Sequence, residues 1–144
     1  MIYLDTSALI KRFVAEAGSE TVNKLVGSAP PVATAKIAYA EVHAGLKRKH
    51  RERFLSGPDY ALSVRQFEDD WDSYIRVDLR DEILRLARDL IRQHPLRGFD
   101  AIHLASALSV KRALGEDVAF AAADVRLLRA AESEGLLAIN VETA

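Results

Sequence analysis

Four carboxylates stand out by where they fall in the sequence. Asp5 ends the apolar run IYLD, Asp124 follows the apolar run VAFAAA, Asp100 opens the helical run after Gly98, and Glu41 lies one turn after Ile37. Ligands of open α/β sheets bind outside the carboxyl ends of the strands, which is where Asp5 and Asp124 fall. Each acid taken alone also suits an ordinary role. Asp5, Asp100 and Asp124 fit helix caps or first-turn acids, and a helical glutamate is usually solvated. Their neighbours ask for more, because Glu41 sits among Ala38, Tyr39, Ala40 and Val42, and Asp100 among Phe99, Ala101 and Ile102. An unpaired carboxylate is costly to bury in such company. Three or four carboxylates gathered in one pocket cannot all ionise comfortably without a cation. The chain has no cysteine, and oxygen-only ligation selects the hard ions Mg²⁺ or Mn²⁺, which retain waters and reach phosphates through them.

The elements that must bring these acids together show in the hydrophobic periodicity. Strands are expected at IYLD, VAT, Ile75 to Leu79, VAFAAA and LLAINV. Helices are expected at SALIKRFV, ETVNKLV, AKIAYAEVHAGLKRKHRERF, the stretch from Tyr60 to Tyr74, DEILRLARDLIRQ, FDAIHLASALSVKRAL and VRLLRAAESE. The Pro30-Pro31 break, the Ser56-Gly57-Pro58-Asp59 turn, and Gly27, Gly115 and Gly135 punctuate them. Short strands that are apolar on both faces, alternating with helices, predict a parallel sheet between helical layers. The segment from Ala35 to Gln93 is rich in helix and poor in strand, which predicts an irregular helical elaboration beside the sheet. With no repeat and no linker, residues 1–144 read as one domain.

Composition narrows the classes further. At 49% hydrophobic and 28% charged residues the chain can bury a core without disulfides or a structural metal. The lack of cysteine excludes a zinc-thiolate site and a cysteine nucleophile, and fits a cytoplasmic setting. The start MIYLD has no signal-peptide pattern, and no apolar run approaches the roughly 20 residues of a membrane span. A net charge of −1 gives no basic footprint, so charge distribution must be examined. Lys47, Arg48, Lys49, Arg51 and Arg53 oppose Glu52 alone, and suit either a solvated helix end or RNA backbone binding, with Lys11 and Arg12 extending the same surface. The stripe Tyr60, Val64, Phe67, Trp71 and Tyr74 suits ordinary packing, with a partner interface as the other reading. His103, one turn after Asp100, reads as packed or hydrogen-bonded rather than as a ligand, as do His43 and His50.

The segments IYLDTSALIKRF, AYAEVHAGL, RGFDAIHLASAL and FAAADVRLLRAAESEGL resemble, in order and spacing, the four acidic motifs of PIN-domain ribonucleases. The chain is most similar to the compact VapC toxins of toxin and antitoxin pairs. That resemblance implies a PIN-like three-layer α/β/α sandwich with a central parallel sheet of about five strands. It also implies a Mg²⁺- or Mn²⁺-dependent endoribonuclease whose products carry a 5′-phosphate, a cognate antitoxin, and a homodimer. Asp5, Glu41 and Asp100 match the family's core metal-binding acids, Asp124 its more variable fourth, and Thr6 or Ser7 a hydroxyl that orders the pocket. Ala122 stands where the family often has threonine or serine. It keeps open a PIN fold that binds RNA or protein without cutting. A phosphoacceptor receiver module is disfavoured, because Thr6 and Ser7 follow Asp5 and the tail LLAINVETA has no lysine.

Overall fold

Ile2, Tyr3 and Leu4 are all buried, because the strand they form has a neighbour on each side. In the computed structural model, which describes residues 1–28 and 31–143, this strand is β1 (Ile2–Leu4). It pairs in parallel with β2 (Val32–Ala35) on one side and β4 (Ala119–Ala122) on the other. β3 (Ile75–Val77) and β5 (Leu137–Asn140) complete a five-stranded parallel sheet in the order β3-β2-β1-β4-β5. The chain builds outward from β1 to β3, then returns to the other side of β1 for β4 and β5. The carboxyl ends of β1 and β4 therefore flank the switch point, where open α/β sheets leave a crevice.

The pleat of β1 divides the core into two layers. Ile2 and Leu4 pack with α1 (Thr6–Leu9), α2 (Ser19–Gly27), α3 (Ile37–Arg51) and α4 (Gly57–Trp71), through Leu9, Val22, Leu46 and Phe67. Tyr3 faces the opposite layer of α5 (Asp81–Gln93), α6 (Gly98–Leu114) and α7 (Val125–Ser133), among Leu90, Leu104 and Leu127. Gly115 closes α6 at a φ of 66°, a left-handed position that suits glycine.

Two expectations are corrected. The segment from Ala35 to Gln93 is not an elaboration beside the sheet. α3 and α4 belong to one layer, β3 is an edge strand, and α5 packs on α6 in the other layer. The strand signal there is weak because β3 is exposed at the edge, with Ile75 40% accessible. The helix expected at SALIKRFV lasts four residues as α1 and then tightens into a 3₁₀ turn, Ile10–Arg12, whose Ile10 carbonyl accepts from both Phe13 and Val14 N–H.

The aromatic stripe packs. Phe67, Trp71 and Tyr74 are buried against the first layer, although Tyr74 lies beyond the end of α4. Pro30 of the predicted break lies outside the described residues. Among the described residues no helix is long and apolar enough to cross a membrane.

Candidate active site

The end of β1 turns directly into α1, and Asp5 makes the turn. Its Oδ1 accepts from Ala8 N–H at 2.9 Å and from the Ser7 hydroxyl at 2.7 Å, capping α1. The Ser7 oxygen also accepts from Ala123 N–H at 3.1 Å, tying the ends of β1 and β4 together. A bridging hydroxyl thus comes from Ser7, while Ala122 is fully buried in the layer of α6 and α7. Burial pushes the Asp5 carboxyl up, against the nearby His103, and Asp100 adds a smaller push in the same direction.

Glu41 reaches the site from the second turn of α3, where it is half-buried. Its Oε1 accepts from the Thr6 hydroxyl at 2.6 Å and is 2.9 Å from His103 Nε2. Burial pushes this carboxyl up, but the bonds from His103 and Thr6 together outweigh it and hold Glu41 below its ordinary value. Of its flanking residues, Ala38 and Val42 are buried while Tyr39 and Ala40 are exposed.

Asp100 is the third residue of α6 and caps nothing; the cap position belongs to Arg97. Burial raises its carboxyl, and Asp124 raises it further. Asp124 caps α7, its Oδ1 accepting from Arg126 N–H at 2.8 Å and Leu127 N–H at 3.2 Å. The exposed Arg97 guanidinium spans the two acids, 3.8 Å from Asp100 and 3.9 Å from Asp124.

Asp5, Glu41, Asp100 and Asp124 line a single cavity of about 490 Å³ at the carboxyl ends of the strands, with Ser7, Arg97 and Phe99 on its walls. A larger cavity of about 620 Å³, beside Lys111, Arg112 and Glu116, contains none of the four acids. The donor set in the acidic cavity is all oxygen, which suits Mg²⁺ or Mn²⁺ in kind. Hydrogen bonds to Asp5 and Glu41 fall on one carboxylate oxygen of each residue. The acids share a cavity but do not form a ready-made ligand shell. Among the described residues no three His, Cys, Asp or Glu side chains stand close enough to hold an ion as placed.

The predicted cationic surface is not brought to this cavity. Lys11 is buried with its ammonium 3.2 Å from both Glu16 and Glu142, so it is withdrawn from any phosphate. Arg12 pairs with Asp70 at 2.7 Å and Lys49 with Glu16 at 2.8 Å, while Lys47 lies over the Tyr60 ring. Arg51 is exposed at the end of α3, about 15 Å along the helix axis from Glu41 at 1.5 Å per residue. His43 and His50 are hydrogen-bonded to Glu68 and the Leu55 carbonyl. His103 is hydrogen-bonded too, but to a carboxylate of the acidic cavity, a connection the sequence reading missed. Its spacing of three from Asp100 was the available signal. Arg97, three residues before Asp100, was likewise overlooked.

Residues 2–133 match the family described as PIN domain. Ribonuclease VapC45 of Mycobacterium tuberculosis is 36% identical over 110 residues, covering 76% of each chain. Among solved structures, FitAcB from Neisseria gonorrhoeae superposes with a TM-score of 0.72 at 16% identity, covering 100% of both chains. A toxin-antitoxin complex from Klebsiella pneumoniae gives 0.68 at 17% identity, covering 98% of both.

Proposed function

The chain belongs to the PIN-domain family, and from that premise we propose that it is a metal-dependent endoribonuclease of the VapC type, acting as a toxin. The observation that carries this reading is the convergence of Asp5, Glu41, Asp100 and Asp124 on one cavity at the switch point of the sheet. Asp5, Glu41 and Asp100 would hold Mg²⁺ or Mn²⁺, with Asp124 as the fourth acid. Such an ion, when bound, lowers the pKa of water and neutralises charge on the phosphate.

The chain's own residues supply the frame for hydrolysis of an RNA phosphodiester. Ser7 and the backbone of α1 fix Asp5, and Thr6 fixes Glu41. Arg97, exposed and at 3.8 and 3.9 Å from Asp100 and Asp124, would meet a substrate phosphate at this cavity.

The named ribonuclease relative supports RNA as substrate. The toxin-antitoxin fold neighbour supports a cognate antitoxin as partner. The reading extends to a homodimer working in the cytoplasm. Purified protein incubated with RNA should cut in Mn²⁺ and stop in excess EDTA. Undiminished cutting in EDTA refutes the metal requirement, and binding without cutting favours a non-catalytic PIN module.

A further inference from the structure

Behind Glu41 stands a buried polar chain that the proposed chemistry does not use. Tyr3 and His103 are 0% and 2% accessible, the Tyr3 ring stacked on Phe120 and edge-on to His103. The Tyr3 hydroxyl lies 2.7 Å from His103 Nδ1. His103 Nε2 lies 2.9 Å from Glu41 Oε1 and 3.0 Å from the Thr6 hydroxyl, which itself donates to Oε1.

Thr6 donates its one hydroxyl proton to Glu41 Oε1, and a carboxylate has none to give, so the hydrogen bond between Oε1 and His103 Nε2 takes the ring's own proton; in that tautomer Nδ1 accepts from the Tyr3 hydroxyl. The Nε2–H points at Glu41. Oε1 is thus gripped by donors from two elements, Thr6 on α1 and His103 on α6, and neither engages Oε2. Glutamate has three rotatable side-chain bonds, and fixing one oxygen removes most of the freedom of the other. Hydrogen-bonding partners that orient a ligating carboxylate contribute to metal affinity without touching the metal.

We propose that His103 is a positioning residue, its Nε2–H tautomer supported by Tyr3, that holds Glu41 Oε1 so that Oε2 is presented to a divalent cation. The inference rests on the metal-binding reading of the acidic cavity, and its tests separate the two.

In metal-free wild-type protein, long-range ¹H–¹⁵N spectra should show the ring that is absent from His103→Gln in the Nε2-protonated form. A ring protonated on Nδ1 overturns the inference whether or not metal binds. Calorimetric Mn²⁺ titration supplies the second readout. His103→Asn places an amide near the Nδ1 level and loses the donor to Glu41, so its Mn²⁺ affinity should fall by about tenfold or more. His103→Gln reaches the Nε2 level and should stay within about threefold of wild type, because one restored donor recovers most of the orienting effect. Tyr3→Phe keeps the ring stack and removes only the hydroxyl, so it tests the same chain if the His103 variants do not fold. Its ring spectrum should lose the single tautomer. An unchanged spectrum in Tyr3→Phe, wild-type affinity in a folded His103→Asn, or equal weakening in Asn and Gln variants overturns the positioning role alone. A wild type that takes up no Mn²⁺ overturns the metal-binding reading and this inference with it.

Discussion

Asp5 and Asp124 show that a helix cap and a pocket acid need not be alternatives. In each, Oδ1 accepts backbone or hydroxyl donors at the start of a helix, while the residue lines the acidic cavity. The sequence made both roles legible but could not show that one side chain fills both. Asparagine keeps a cap acceptor and loses the charge. Asp5→Asn should therefore unfold within about 0.5 kcal/mol of wild type in urea, while Asp5→Ala costs about 1–2 kcal/mol. Equal losses in the two would mean that the charge, not the cap, holds α1.

Asp100 behaves differently because it caps nothing. Mutual repulsion was expected to raise at least one of these carboxyls. Asp5 and Asp100 are raised, but burial is the larger cause in both, and Glu41 is lowered by its donors. A raised folded-state pKa makes ionised Asp100 unfavourable at neutral pH, and stability returns as pH falls through that value. In EDTA at neutral pH, Asp100→Asn should melt at or above wild type. The gain is at most about 1 kcal/mol, since solvent reaches the site and screens it. Added Mg²⁺ should then stabilise wild type more than the variant. A clearly less stable variant in EDTA would make Asp100 a structural acid.

At the scale of elements, Lys11, Glu16, Glu142 and Lys49 join the turn after α1 to α3 and to the chain after β5. Burial pushes the Glu16 carboxyl up, but Lys49 and Lys11 together outweigh it and hold it below its ordinary value. With a depressed folded-state pKa, its contribution is present above the ordinary glutamate value and is lost as pH falls through the folded one. Glu16→Gln should cost about 1 kcal/mol at neutral pH and progressively less on acidification through the carboxylate range, read by urea unfolding at several pH values. A pH-independent difference would mean that shape, not charge, matters there.

The basic end of α3 was visible in the sequence, but the pairing of Lys49 was not, because Glu16 is remote along the chain. Lys49→Ala should therefore act on stability. Lys47→Ala with Arg51→Ala should weaken RNA binding evenly across sequences and flatten the salt slope by about 0.7 for each lost single-strand phosphate contact. An unchanged slope in that double variant would leave this helix end a solvated surface.

At the scale of the molecule, the alternation of buried strands and amphipathic helices made the parallel sheet and both helical layers legible. IYLD and VAFAAA announced the two strands whose ends meet at the switch point, because central strands are apolar throughout. β3 was harder to delimit, being short and exposed. Register, and with it the approach of Glu41 and His103, residues 62 positions apart on two different helices, is set by tertiary packing that periodicity does not encode. The fold delivers four acids to one cavity, and the proposed function requires that their charge serve the reaction. The rate of RNA cleavage by folded Asp100→Asn at saturating Mn²⁺, beside wild type, tests this most directly. The variant should be slower by about 100-fold or more, a loss of several kcal/mol of transition-state stabilisation. Cleavage at the wild-type rate would mean that the reaction does not depend on the acidic cavity.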